Sequence, residues 1–240
     1  MDSRKKVEVC FSPNLYSLHK EDADIVVVID VLRATSAICA AFDNGIKKII
    51  PVSTVEEAIE YKRNKNYIVA AERKGKIVDG FEFGNSPYSY MNENIKGKTL
   101  VLTTTNGTKA FHTAKDAKHV IIGSLINLDA VCDYLFKEYK NVMILASGWQ
   151  NKFCLEDTIC AGAIVEKLLS SGKFTSEHDS SIAAKFLFLS ARDNIFGYLK
   201  ASSHRRRLRA LNLNKDIKYC LTPNQTDVVP IRENDYLVKG

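Results

Sequence analysis

The sequence lacks the features that define several large functional classes. It contains no G-x-S-x-G elbow, no G-x-x-x-x-G-K-S/T phosphate loop, no G-x-G-x-x-G fingerprint and no H-E-x-x-H pair. No apolar run approaches the ~20 residues that a membrane-spanning helix needs. The first residues, MDSRKKVEV, pass from charge directly to a strand pattern without a signal-peptide core. We therefore expect a cytoplasmic protein with no membrane partner.

The cysteines do not have the spacing of a metal or redox site. Six are present: Cys10, Cys39, Cys132, Cys154, Cys160 and Cys220. No two of them form a C-x-x-C pair, so neither a zinc site nor a thioredoxin-type motif is indicated. None is followed six positions later by arginine, which excludes the Cys-x5-Arg loop of thiol phosphatases. We expect buried free thiols in a reducing compartment.

Charge of one sign is only mildly in excess. Lys and Arg outnumber Asp and Glu by 34 to 28, a formal net charge of +6, which suits anionic small molecules as well as nucleic acid. The strong basic cluster, Ser203–Arg209, is short and contains no aromatic residue, whereas a nucleic-acid surface is usually extended and interleaved with aromatics. We interpret the cluster as a solvated helix face and expect no nucleic-acid partner.

What the sequence does contain is a regular alternation of short apolar strands with helical segments. The strand patterns lie at residues 7–11, 25–29, 48–52, 67–71, 100–102, 119–123, 141–146 and 228–231. The first helical pattern ends near residue 44, and the second lies at residues 54–63. A third begins at residue 108, and the others lie at residues 127–139, 156–170, 177–193 and 204–211. Ser53 and Glu56 have the spacing of a capping box for the second of these helices, and residues 75–84 have the composition of a loop.

This alternation predicts an α/β fold with three layers, α/β/α, around a largely parallel or mixed sheet, with a helical C-terminal region. The length of 240 residues allows one or two domains. We predict a single domain over residues 1–240, in which residues 174–240 form a mainly helical extension packed on the rest.

The segment Lys98–Thr108, KTLVLTTTNGT, is the most informative stretch. An apolar strand enters three threonines, Asn106-Gly107 breaks it, and a helical pattern begins at Thr108. A strand, a hydroxyl-rich turn and a helix start can together present backbone N–H groups to an anion. The alternative is a capped turn that binds nothing.

Three further strands also end in polar or glycine-bearing segments. These ends are Asp30–Arg33, Glu72-Arg73 and Ser147–Trp149, the last of which includes Gly148. Because ligands of parallel α/β sheets bind beyond the carboxyl ends of the strands, we expect these ends to meet the Thr103–Thr108 turn at a common edge.

Two of these ends pair an acid with an arginine, which suggests a site for an anion and a metal. Asp30 and Glu72 offer carboxylate ligands, while Arg33 and Arg73 offer planar forks for phosphate or sulfonate oxygens. An ion pair that only caps a strand end is the alternative for each.

Other candidates are more ambiguous on their own. Glu156 and Asp157 begin a helix, where acids complement the dipole, but with Asp30 they would supply the oxygen ligands that Mg²⁺ prefers. Asn85-Ser86 is either a helix N-cap or a second anion nest. His204 is either a proton donor to a leaving alkoxide, an anion ligand or a structural residue.

At this point the motifs resemble those of the ComB-like 2-phosphosulfolactate phosphatases. In order along the chain they are Asp30–Ser36, Ala71–Arg73, Gly84–Pro87, Thr103–Thr108, Ala146–Gly148, Glu156-Asp157, Ser203-His204 with Leu208, and Asp216-Ile217 before Cys220. The similarity spans residues 7–220. This chain has Arg205 where the family's late motif has a glycine after the histidine.

The resemblance implies a magnesium-dependent acid phosphatase that converts 2-phosphosulfolactate to 3-sulfolactate and phosphate, on the route to coenzyme M. The metal ligands expected by this hypothesis are Asp30, Glu72, Glu156 and Asp157. The catalytic residues expected are Asp30, Arg33, Arg73 and His204. The substrate and phosphate ligands expected are Ser36, Asn85, Ser86, Thr104, Thr105, Asn106, Gly107, Thr108, Ser147 and Gly148.

Several alternatives stay open at the level of sequence. The attacking nucleophile is either a metal-oriented water or a hydroxyl of Thr103–Thr105 or Ser36, because the D-x-D pattern of aspartyl-phosphate enzymes is missing. The natural substrate is 2-phosphosulfolactate or another small phospho-acid. A non-catalytic binder of an anionic metabolite would use the same strand-end turns. A homodimer is one expectation for the assembly, since parallel-sheet enzymes of this size often pair.

Overall fold

We describe the protein from a computed structural model that covers residues 3–19 and 22–240. The strands are β1 (Lys5–Cys10), β2 (Ile25–Ile29), β3 (Lys48–Pro51), β4 (Tyr67–Arg73), β5 (Lys76–Ile77), β6 (Thr99–Thr103), β7 (His119–Gly123), β8 (Val142–Ala146), β9 (Phe174–Thr175), β10 (Pro230–Glu233) and β11 (Tyr236–Lys239). The helices are α1 (Ala34–Asp43), α2 (Val55–Glu60), α3 (Gly107–Thr113), α4 (Leu128–Glu138), α5 (Leu155–Ser170), α6 (Asp179–Ala191), α7 (Ile195–Tyr198), α8 (Ser203–Ala210) and α9 (Asn214–Cys220).

The strands form one mixed sheet that consists of two parallel blocks. Its order is β5-β4-β6-β3-β11-β10-β7-β2-β8-β1-β9. One block consists of β4, β6 and β3, and the other consists of β7, β2, β8 and β1. Within each block, neighbouring strands pair in parallel. The α/β class predicted from the sequence is confirmed.

A C-terminal hairpin joins the two blocks. β10 pairs antiparallel with β7, and β11 pairs antiparallel with both β10 and β3. The sequence pattern indicated a strand near residues 228–231 but not its partner β11. Residues 174–240 are therefore more than a helical surface layer, because their last segment lies in the middle of the sheet.

Both faces of the sheet are covered by helices. Along β2, Val27 packs in one apolar core with α4, α5 and α6, while its neighbours Val26 and Val28 pack in a second core with α1 and α3. Successive residues of a strand point to opposite faces, so a strand covered on both sides reads as the continuous run IVVVI. Within the described residues, no helix is both long enough and apolar enough to cross a membrane.

Helix α2 begins one residue later than the sequence predicted. The Thr54 side chain accepts a hydrogen bond from the backbone N–H of Glu57 at 3.1 Å, and the Glu57 carboxylate accepts one from the backbone N–H of Ser53 at 2.9 Å. The predicted capping pair of Ser53 and Glu56 is therefore wrong by one position. The predicted loop at residues 75–84 also contains the short strand β5, which pairs with the end of β4.

Thr54→Ala is expected to lower the free energy of unfolding by about 1 kcal/mol, because it removes the side-chain acceptor at the start of α2. Urea denaturation of the wild type and the variant measures this change. Ser53→Ala is the matched control, since the recorded bond of Ser53 uses its backbone N–H rather than its hydroxyl. An equal loss of stability in both variants would contradict the assignment of Thr54 as the cap.

Candidate functional site

Several strand ends and helix α8 surround a small cavity, which we call the Asp30 cavity. Its volume is about 170 Å³. It is lined by Asp30, Leu32, Arg33, Glu72, Lys74, Gly75, Asn85, Thr105, Asn106, Trp149, Gln150, His204, Arg207 and Leu208. The structure thus brings together groups that are up to 178 residues apart in the chain, from Asp30 to Leu208. The strand ends among them belong to two blocks that run in opposite directions, so the common carboxyl edge expected from the sequence is not what joins them.

Asp30 is the buried carboxylate that faces this cavity. It follows β2 directly and is 7% exposed. Its pKa is raised to about 7, chiefly by burial; His204 and the Ala34 backbone N–H act to lower this pKa, and the charges of Glu72 and Glu156 act to raise it. A carboxylate in this environment is costly to ionise unless a cation lies beside it.

Glu156 lies behind the cavity and holds His204. The Glu156 Oε1 atom lies 2.6 Å from His204 Nδ1, and its Oε2 accepts a hydrogen bond from the Ser202 hydroxyl at 3.2 Å. Although burial acts to raise the pKa of Glu156, the hydrogen bond and charge of His204 outweigh it, and the pKa is lowered overall. Because Nδ1 is engaged with Glu156, Nε2 is the ring nitrogen of His204 that is left for the cavity.

Asp157 ties two strand ends to helix α5. Its Oδ1 accepts the backbone N–H of Val31 at 2.9 Å, and its Oδ2 accepts that of Gly148 at 3.1 Å. Burial and the charges of Asp30 and Glu156 raise the pKa of Asp157 well above its ordinary range. The bonds to Val31 and Gly148 fix the turns after β2 and β8, and Gly148 has the positive φ of +64° that this turn requires.

Glu72 organises the turn after β6. Its carboxylate accepts hydrogen bonds from the backbone N–H of Gly75 at 2.6 Å, from the N–H of Thr105 at 3.1 Å and from the Thr105 hydroxyl at 3.1 Å. Asn85 Nδ2 lies at 3.4 Å from the same carboxylate. Both oxygens are therefore engaged, and Glu72 fixes the position of the threonine-rich turn against the end of β4.

Arg33 is present in the cavity wall but is already paired. Its Nη1 donates to Asp216 Oδ2 at 2.5 Å, and its Nη2 donates to the carbonyl of Gly75 at 2.9 Å. Arg33 is 4% exposed. It therefore links the start of α1 to α9 and to the turn after β4, and it contributes positive charge to the cavity through a largely fixed guanidinium.

Arg73 lies beside a different cavity. This second cavity, of about 370 Å³, is lined by Ser53, Arg73, Thr104, Thr105, Thr108, Lys109 and His112. Arg73 Nη2 donates to the Thr103 hydroxyl at 3.0 Å. Of the residues expected at one site, Arg73, Thr104 and Thr108 thus line this second cavity and not the Asp30 cavity, and Thr105 borders both cavities.

The remaining predicted residues occupy three kinds of position. Asn85 and Asn106 line the Asp30 cavity, and Ser86 lines an adjacent groove that shares Arg33, Gly75 and Asn85 with it. Gly107 lies against Asp30, because a Cβ built on it would come within 3.0 Å of Asp30 Oδ2. Two serines are fully buried elsewhere. Ser36 donates to the Val31 carbonyl and contacts the Ser124 hydroxyl, whereas the buried Ser147 hydroxyl has no hydrogen-bond partner among residues 3–19 and 22–240.

Trp149 and Arg207 also belong to the cavity. Trp149 was expected only as part of the strand end Ser147–Trp149, and Arg207 was not identified as a site residue from the sequence. The Trp149 ring lies 5.4 Å from the His204 ring, and the Arg207 guanidinium carbon lies 4.1 Å from the Trp149 ring centre. A signal for Arg207 was present, since residues 204, 207 and 208 share one face of a helix. This signal was missed because the whole basic cluster was interpreted as a solvated helix face.

A larger cavity of about 620 Å³ lies elsewhere, near the amino ends of β4 and β6. Its charged lining residues are Lys62, Lys65, Glu82 and Lys98. It lacks the cluster of buried carboxylates and the histidine that surround Asp30. The smaller Asp30 cavity is therefore the better candidate for chemistry.

The buried acids around Asp30 fit a divalent cation by charge. Asp30, Glu156 and Asp157 are all nearly inaccessible to solvent, with exposures of 7%, 1% and 2%, and His204 lies against Glu156. Hard oxygen donors of this kind suit Mg²⁺. Because the oxygens of Glu72 and Asp157 accept N–H bonds, their role as direct ligands stays a prediction.

A second donor set overlaps this one. Among the residues that the structure describes, Cys154, Glu156 and His204 place one ligand atom each within 4.8 Å of the others. Burial raises the pKa of the Cys154 thiol well above its ordinary value. A protonated thiol is a poor ligand for a hard cation, so Glu156 is the member of this set that suits Mg²⁺.

Comparisons with known proteins agree with the motifs. A family model described as 2-phosphosulpholactate phosphatase matches residues 10–235. A probable 2-phosphosulfolactate phosphatase of Caldanaerobacter subterraneus subsp. tengcongensis is 45% identical over 212 residues, which cover 87% of this chain and 88% of that protein. A probable 2-phosphosulfolactate phosphatase of Clostridium acetobutylicum is 36% identical over 227 residues, covering 94% of this chain and 96% of the relative.

Proposed function

The chain belongs to the 2-phosphosulfolactate phosphatase family, and we propose that it hydrolyses 2-phosphosulfolactate, or a closely related small phospho-acid, to 3-sulfolactate and phosphate with the help of Mg²⁺. The observation that carries the proposal is the Asp30 cavity, where a buried carboxylate, His204 and positively charged side chains face the same small volume. A volume of about 170 Å³ suits a compact ligand better than a drug-sized one.

Mg²⁺ would be held by Asp30, with Glu156 and Asp157 supplying further negative charge around it. When bound, the ion would polarise the phosphoryl group and orient a water molecule for attack. The chain itself contributes position and charge. Backbone N–H bonds fix the Val31 and Gly148 turns through Asp157, and the Thr105-Asn106 turn is fixed through Glu72.

His204 would donate a proton to the leaving group. Its Nδ1–H donates to the Glu156 carboxylate at 2.6 Å, which fixes the ring orientation and leaves Nε2 for the cavity. A proton on Nε2 would pass to the alkoxide oxygen as the P–O bond breaks. The Trp149 ring packs at 5.4 Å from the His204 ring and limits its rotation, so the proton donor stays in place between turnovers.

Phosphate release from a panel of 2-phospho three-carbon acids tests the proposal directly. We expect 2-phosphosulfolactate to be hydrolysed by the purified protein with Mg²⁺, release to stop after treatment with EDTA, and Mg²⁺ to restore it. No release at high protein concentration, together with tight binding of the same acids, would leave the non-catalytic binder as the function.

The nucleophile is tested in the same assay. Of the hydroxyls considered, Thr105 borders the Asp30 cavity and donates to Glu72 at 3.1 Å, whereas Ser36 bonds to a buried carbonyl. Rapid quenching of a reaction with phosphate-labelled substrate should leave no label on the protein if water attacks. Label on Thr105 would establish a covalent route instead.

A further inference from the structure

Arg207 has an unusual hydrogen-bonding status. Its Nε and Nη2 atoms are buried and have no hydrogen-bond partner within the described structure. Two other arginines of α8 differ from it. Arg205 donates through Nη1 to the Phe196 carbonyl, and Arg206 donates through Nη1 to the Ala201 carbonyl. Of these three arginines of α8, Arg207 has the buried donors without a partner among the described residues, and it borders the Asp30 cavity.

Unpaired buried donors on a charged group are costly, and native proteins rarely retain them without a partner. Nε–H and one Nη–H lie along the same edge of a guanidinium and point in parallel. Such an edge accepts two oxygens of one carboxylate, sulfonate or phosphate group. The missing partner of Arg207 therefore has the chemistry of an oxyanion with two adjacent oxygens.

The guanidinium is held in place before any ligand arrives. Its carbon atom lies 4.1 Å from the centre of the Trp149 ring, a distance at which cation–π attraction orients the planar group. Trp149 also contacts the His204 ring at 5.4 Å. Arg207 and His204 are one helical turn apart on α8, so the oxyanion edge and the proton-donating imidazole belong to one rigid element.

The other buried charges of the cavity are already assigned, and Lys74, which also lines it, is exposed. Arg33 is paired with Asp216 and the Gly75 carbonyl, and the carboxylate of Glu72 is occupied by donors from Gly75 and Thr105. A cation bound at Asp30 would attract the reacting phosphate. The Asp30 side chain itself is a carboxylate and cannot pair with a second acid group. Arg207 is the side chain whose free donors match such a group.

We infer that Arg207 binds the acid group of the substrate that is not hydrolysed, and that it restricts the enzyme to phosphate esters with a second anionic group on a neighbouring carbon. The group bound is the sulfonate or the carboxylate of the phospho-acid. This inference rests on the proposed function, which it makes more specific by assigning the selection of the substrate class to one residue.

Kinetics with two substrates test the inference. For Arg207→Gln, we expect kcat/KM for 2-phosphosulfolactate to fall by about 50-fold or more, mainly through KM, because a buried charge-assisted pair is lost. For glycerol 2-phosphate, which has no second acid group, kcat/KM should change less than about threefold. Arg207→Lys should recover only part of the loss, since a lysine cannot form the two-pronged contact.

Arg209→Gln is the matched control. Arg209 lies on the same helix, is exposed and does not line the cavity, so the variant makes the same change in net charge without touching the site. We expect both substrates to behave as with the wild type. Equal losses for the two variants, or equal losses for the two substrates in Arg207→Gln, would overturn the inference.

Binding without turnover separates this inference from the proposed function. Trp149 is the single tryptophan of the chain and packs on Arg207, so its fluorescence reports on ligands at this point. We expect 3-sulfolactate to bind the wild type and to bind Arg207→Gln about 50-fold more weakly, while inorganic phosphate binds both alike.

Each outcome of the titration has a definite meaning. Arg207-dependent binding of 3-sulfolactate by a protein that hydrolyses nothing would overturn the proposed function and leave Arg207 as an acid-binding residue. Weakened binding of inorganic phosphate rather than 3-sulfolactate would overturn the inference, because Arg207 would then hold the reacting group. If the substitution itself changes the fluorescence of Trp149, calorimetric titration measures the same binding instead.

Discussion

Asp30→Asn is expected to reduce phosphate release by about a thousandfold or more while the protein stays folded. The substitution preserves the shape of a side chain that is 7% exposed but removes the charge that would attract the metal. Steady-state kinetics measure the loss. In the absence of metal, the thermal midpoint of the variant should equal or exceed that of the wild type, because burial opposes ionisation of this carboxyl and raises its pKa to about 7.

The metal dependence of stability gives a second measurement for Asp30. Mg²⁺ should raise the thermal midpoint of the wild type by mass action and should leave that of Asp30→Asn almost unchanged. Asp129→Asn, at a half-exposed position of α4 where Asp129 pairs with Lys167, is the control with the same chemical change and should retain full activity. An active Asp30→Asn protein would remove Asp30 from the reaction.

Gly107→Ala is expected to lower activity by about a hundredfold or more and to destabilise the fold by about 2 kcal/mol. A Cβ at this position would lie 2.5 Å from Ala34 Cβ and 3.0 Å from Asp30 Oδ2. The first contact is with the short, rigid side chain that opens α1, so α3 or Asp30 must move. Activity assays and urea denaturation measure the two effects.

Gly172→Ala provides the matched comparison for this prediction. Gly172 has a φ of +70°, and a Cβ there would meet nothing within 4 Å. The substitution should cost about 1 kcal/mol of stability through backbone strain and should leave activity unchanged. If Gly107→Ala were destabilised but fully active, the close approach of α3 to Asp30 would not be needed for the reaction.

The local elements were largely predictable because their signals are local. The run Ile25–Ile29 is apolar on both faces and ends at an acid, and it is a strand with those bounds. β6 ends at Thr103, before the predicted break at Asn106-Gly107, and α3 begins at Gly107, one residue before the predicted start. Short or late elements such as β5, β9 and β11 were missed, because two to four residues carry too little pattern to distinguish a strand from a loop.

The two sides of the threonine-rich turn could not be distinguished from the sequence. Thr104 and Thr105 are adjacent in a segment that leaves the sheet, but Thr104 lines the second cavity alone, whereas Thr105 borders both cavities. Arg73, at the end of β4, goes to the Thr104 side, while its neighbour Glu72 goes to the Asp30 side. Alternation along a strand separates such neighbours, but only the folded chain shows which face borders which cavity.

By itself, the sequence determined the layered α/β architecture, the family and the set of polar strand ends, because each depends on residues that are close together in the chain. The tertiary structure decided which of these ends meet. Three antiparallel pairings, made by the C-terminal hairpin, separate the two parallel blocks, so a shared strand direction does not explain why Asp30 and Asn106 line one cavity. The packing of α3 at Gly107 against Ala34 explains it. Helix α8 then adds Arg207, whose unpaired donors are visible only once the surrounding side chains are in place.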